Sequence, residues 1–269
     1  MPRQKHFFDI KRMNTHTFHI PVMGIGFTID TPLKVAHLGI DSSISLVDDM
    51  LIEKLRKVYC TKFKLTYTEI TENIEDFRAK RITSYLNMVG ILAEKKFEEL
   101  KNITSTYGND LRRYIQLLPD TSVIKQQFSQ LKCDHLTINK IKEWIDHNLS
   151  MGSIDVNIMT KVDKENYCGN DKLPTIYNDA HAALRGYANS NLSSSLILSA
   201  GMNPKLYSYL EDFDDFYPNE QGVIKKKIVL KVSDYRSALI QGKFLAKKGI
   251  WVSEYRIESG LNCGGLAFA

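Results

Sequence analysis

Residues 226–259, KKIVLKVSDYRSALIQGKFLAKKGIWVSEYRIES, carry the reading that decides the fold. The run 226–232 is short, apolar and β-branched, which suits a strand and is too brief for a helix. Ser233 or Asp234 then stands as an N-cap before YRSALIQGKFLAKK, and Gly249 closes that helix. A second strand follows at once over 250–258. Strand, helix and strand within about 30 residues make a crossover unit, which joins parallel strands.

The same kind of run recurs upstream: FHIPVMGIGF at 18–27, SSISLV at 42–47, SIDVNIM at 153–159 and SSLILSAG at 194–201. Most are near-continuously apolar, as strands covered on both faces are. Thr31 with Pro32, and Asn203 with Pro204, open short helices, and Gly39 closes the first. Six strands near 19–27, 42–47, 153–160, 194–201, 226–232 and 250–258 are expected, parallel and in sequence order. The fold class is α/β, of the (β/α) TIM-barrel type, as one domain over 1–269 that is incomplete at about six strands. Residues 60–150 lack strand runs and hold helical patterns, so they read as a helical insertion after the second strand. Its longest element, IEDFRAKRITSYLNMVGILAEKKFEELKN, places Phe77, Ile82, Tyr85, Leu86, Val89, Leu92, Ala93, Phe97 and Leu100 largely on one stripe.

Composition narrows the classes. The chain has 269 residues, 43% hydrophobic and 25% charged, which is globular rather than disordered. A net charge of +5 is spread too thinly to indicate nucleic acid. No stretch reaches the length of a membrane span, and MPRQKHFFDIKRMN lacks the apolar core of a signal peptide, so a cytoplasmic protein is expected. Cys60, Cys133, Cys168 and Cys263 form no CxxC pair, His16 and His19 have no third partner, and the acidic run EDFDDF at 211–216 reads as solvated surface. No metal is expected.

Four features carry chemistry. Gly24 and Gly26 end the first strand, either to admit a flat ligand against the backbone or to make a tight turn; Ile29 stands where a dinucleotide fingerprint needs its third glycine. Asn157 is an amide in an apolar strand, and it needs partners from a ligand ring or from neighbouring backbone. Lys231 ends a parallel strand, where its ammonium meets a ligand anion or an ion-pair partner. Glu254, Arg256 and Glu258 share one face of the last strand, lining a polar site or flanking an open edge.

SEYRIESGLNCGGLAFA, following a helix that ends LAKKG, resembles the nitronate monooxygenase (2-nitropropane dioxygenase) family of FMN-dependent TIM barrels. IPVMGIGF, IDVNIM, LILSAG and IVLKV are similar to that family's first, third, fourth and fifth strands. The resemblance implies an FMN-dependent oxidoreductase acting on a small carbon acid. It places Asn157 on a flavin-contacting asparagine, Gly264 and Gly265 on a glycine pair, and Lys231 more loosely near the flavin. Leu266 stands where the family has a histidine, which puts the activity in doubt, and no catalytic residue is assigned. The sequence as read stops after its sixth strand, before those that hold the FMN phosphate, so FMN is expected to bind weakly or not at all. A non-catalytic barrel that acts as a protein-interaction module is the rival expectation, with self-association through an exposed strand edge. Cys263 in a glycine-rich loop is also similar to inosine monophosphate dehydrogenases, though the surrounding residues match that loop poorly.

Overall fold

The computed structural model describes residues 19–20, 28–46, 48–102, 108–133 and 138–258. Eight strands lie among them: β1 (His19–Ile20), β2 (Asp41–Ser45), β3 (Ile154–Met159), β4 (Tyr167–Cys168), β5 (Asp171–Lys172), β6 (Ser195–Ser199), β7 (Lys227–Val232) and β8 (Val252–Ile257). The described α-helices are α1 (Pro32–Val35), α2 (Asp49–Phe63), α3 (Phe77–Lys101), α4 (Asn109–Leu117), α5 (Val123–Cys133), α6 (Ile138–Asn148), α7 (Asp179–Ala188), α8 (Pro204–Tyr209) and α9 (Tyr235–Ala246). None is long and apolar enough to cross a membrane.

The protein is mixed α/β, as expected. A parallel sheet runs in the order β2, β3, β6, β7, β8, with the two-residue β1 beside β2. The backbone bonds Ser42 N–H to Ser153 O and Leu46 N–H to Asn157 O set the β2–β3 register. Chain order and sheet order therefore agree, while β4 and β5 form a separate antiparallel pair. Continuous apolar runs explain why β3, β6 and β7 are buried on both sides, whereas β8 alternates half-buried and exposed residues. Between β7 and β8 the register shifts, so Ile228 pairs with Val252 but Val229 pairs with Glu254, and Ser253 is the extra residue of a bulge.

Two of the three helix openings read in the sequence are capped as expected, while Thr31 precedes α1 with a helical backbone and no side-chain cap bond. Asn203 accepts the Leu206 N–H at 3.1 Å, with Pro204 opening α8. Asp234 accepts the Ser237 N–H at 2.7 Å and caps α9. Gly39 takes a left-handed φ of 79° after the first short helix.

The chain divides into two compact units. One takes 19–20, 31–42 and the described residues of 91–153, and its core gathers Leu38, Ile40, Leu100, Leu111, Tyr114, Phe128 and Ile145. Tyr114 donates from its hydroxyl to Ser150 O at 3.0 Å. Gly152 passes so close to Ile40 that a Cβ would fall 2.1 Å from its carbonyl oxygen. The other unit takes 28–30 and the described residues of 43–90 and 154–258, and it holds β3 to β8 with α2, α7, α8 and α9.

Candidate functional site

In a parallel sheet, residues in register share a face. Asn157 pairs with Ile197, Ile197 with Val229 and Val229 with Glu254; two residues on, Lys231 pairs with Arg256. Asn157, Lys231, Glu254 and Arg256 therefore point to one side, with Asp155 two residues before Asn157. Ser45 joins them, since Asn157 Nδ2 lies 3.4 Å from its Oγ. The opposite side carries Val156, Leu196, Leu198, Ile228, Leu230 and Tyr255. Helix α9 packs there, close enough that a Cβ on Gly242 would fall 2.3 Å from the Tyr255 hydroxyl. The sheet thus has an apolar face under α9 and a polar face turned away from it.

The polar face is strongly interconnected. Asp155 is buried and accepts the Ser195 N–H at 3.0 Å. Arg256 donates to Glu254 at 2.6 Å and reaches Asp155 Oδ2 at 4.0 Å. Lys231 pairs with Glu258 at 2.8 Å, which supplies the carboxylate its ammonium needs. Asn157 is only 3% exposed, yet within the described residues its amide makes only the long bond to Ser45. An amide can donate twice and accept twice, so Asn157 keeps unused hydrogen-bonding capacity.

Of the residues singled out in the sequence, Asn157 and Lys231 are brought onto one face, near the C-terminal half of their strands. Gly24, Gly26, Cys263, Gly264, Gly265 and Leu266 lie outside the described residues. The turn after β6, where LILSAG ends, holds Ala200 at φ 64° and Gly201 at φ 95°. A left-handed alanine is uncommon and marks a backbone over-determined by its surroundings. Thr160 helps to fix it, donating to Ser199 O at 2.9 Å and also contacting Gly201 O.

Three residues were not legible as functional candidates. Lys226, not Lys231, is the fully buried lysine: it donates to Ser190 O at 2.7 Å and Leu192 O at 3.0 Å, and lies 3.4 Å from Asp215. Burial pushes its ammonium down to about 8, against a smaller opposing pull from Asp215. The acidic run that reads as solvated surface is therefore partly structural, with Asp215 beside this lysine, Glu211 paired to Lys248 and Phe216 buried. Asp163 and His181 are the other two. Asp163 follows β3, and its Oδ2 lies 2.9 Å from Nδ1 of His181, in the first turn of α7. Burial alone would raise the Asp163 carboxyl, but His181, Asn178 and the Ala180 N–H together hold it below its ordinary range. Among the described residues no three His, Cys, Asp or Glu side chains are grouped as a metal ion needs.

Comparisons with protein-family models, with curated proteins and with solved structures gave no match to this chain.

Proposed function

We propose that the parallel sheet is part of a (β/α) barrel whose polar inner face binds FMN, and that its chemistry is the flavin-mediated oxidation of a small carbon acid. The reading extends the sequence resemblance to nitronate monooxygenases. One observation carries it: Asn157 and Lys231, which that resemblance assigns to the flavin, share the sheet face turned away from α9. Parallel strands in chain order also suit a barrel, and such folds bind their ligands at the strands' C-terminal ends. FMN would supply electron acceptance, while Asn157 would hydrogen-bond the ring edge and Lys231 would lie beside it. A cytoplasmic setting and a small-molecule substrate belong to the same reading.

The rival reading, a non-catalytic module that pairs with a second copy, is favoured by a different observation. Lys231–Glu258 and Arg256–Glu254 already balance charge on the face without a ligand. Both flavin contacts are to the ring, so riboflavin should bind about as well as FMN. Titration of the purified chain by flavin fluorescence quenching tests this. Weak but saturable quenching by both, lost in Asn157→Leu, is expected; no quenching by either leaves the module reading standing.

A further inference from the structure

Away from the polar sheet face, a groove of 580 Å³ opens where α7, α8 and α9 meet. That volume is within the range of small-molecule sites. Ile176, Pro204, Tyr209 and Phe244 give it apolar and aromatic walls, and His181 lines it from a side chain only 3% exposed. Lys205 and Asp212 both line it, so opposite charges offset one another and the groove selects neither anion nor cation.

Besides Lys205, Asp212 and the hydroxyl residues Thr175 and Ser208, His181 is a buried polar group that a ligand would meet. Its Nδ1 stands 2.9 Å from the Asp163 carboxylate, which lies off the ring N–H axis, and a carboxylate at that distance favours the proton on Nδ1. In the neutral ring Nε2 then keeps its lone pair, and it makes no hydrogen bond within the described residues. Asp163 is itself fixed by the Ala180 N–H at 2.9 Å. The aromatic wall is equally held: Tyr209 lies 5.4 Å from the His181 ring, and its hydroxyl accepts from Arg185 at 3.1 Å. Arg185 is in turn clamped by Asp76. A preformed acceptor among aromatic side chains, without net charge, matches a neutral molecule with an apolar ring and one hydroxyl donor.

We propose that this groove binds a small hydroxy-aromatic compound, with His181 Nε2 accepting the hydroxyl hydrogen bond. The full chain can be titrated with 4-methylphenol and with 4-methylanisole, which has the same ring but no donor, while the His181 imidazole ¹⁵N signals are followed by NMR. The phenol should shift the Nε2 signal saturably, and the ether should bind at least about tenfold more weakly. Ile176→Arg, at a position 43% exposed and therefore tolerant of change, should block the phenol without unfolding the protein. Equal affinity for the two compounds, absence of binding by the phenol, a His181 signal unmoved at saturation, or unchanged binding in Ile176→Arg would overturn the proposal.

Discussion

Lys226 shows what a single residue contributes. Its ammonium has no exposed surface, and it satisfies two backbone carbonyls while lying over the Tyr187 ring at 5.0 Å. Replacing it by Met strands those carbonyls, and Lys226→Met should lose about 2–4 kcal/mol in urea denaturation. The pH dependence follows from linkage. The folded lysine titrates at about 8 and the unfolded one near 10.5, so between those values the unfolded chain binds more protons and stability rises with pH. The cost of burying the charge is full below about pH 8 and relieved by pH 10.5. The wild type should therefore gain stability relative to Lys226→Met across this window. Parallel curves for the two proteins would show that the lysine is not desolvated. In the sequence, Lys226 and Lys231 are chemically alike in KKKIVLKV, and only the fold reveals which one is enclosed.

Among the elements, strands and caps were the legible part. The runs 153–160, 194–201 and 226–232 became β3, β6 and β7 with their ends trimmed, because hydrophobic, β-branched stretches have few other places in a parallel sheet. Asn203 and Asp234 cap as expected because short polar side chains satisfy the first free amides of a helix wherever they precede one. The β4–β5 pair left no signal, since its four residues are all exposed. Helix α7, which carries His181, is rich in alanine and buried nearly all round, so it has no solvent face whose polar residues would mark its period. The site was less legible still, because Asp163 and His181 meet only when the loop after β3 returns to α7. Close approach also escapes a sequence reading. Gly152 sits against the Ile40 backbone and donates to Ala36 O at 2.8 Å, so a methyl group cannot be accommodated by turning a side chain. Gly152→Ala should cost about 3 kcal/mol, measured by chemical denaturation. A loss below about 1 kcal/mol would mean that the backbone gives way easily there.

For the molecule as a whole, the expectation of self-association turns on β8. Among the described residues β8 pairs only with β7, and Trp251, Tyr255 and Ile257 are exposed along it. Tyr235, Leu239 and Ile240 of α9 are also exposed. An edge strand offers an unpaired row of backbone donors and acceptors, which a second copy can match. Sedimentation velocity should show concentration-dependent self-association that Ile257→Lys weakens. A monomer at every soluble concentration would remove the edge from the account. The central claim, however, concerns the opposite face from α9, where Asn157 retains unused hydrogen-bonding capacity and Lys231 stands on the same side. A crystal structure of the chain grown with FMN tests that claim most directly. The isoalloxazine ring should lie on the polar face within hydrogen-bond reach of the Asn157 amide and beside Lys231. A ring bound under α9, or anywhere out of reach of Asn157, would contradict it.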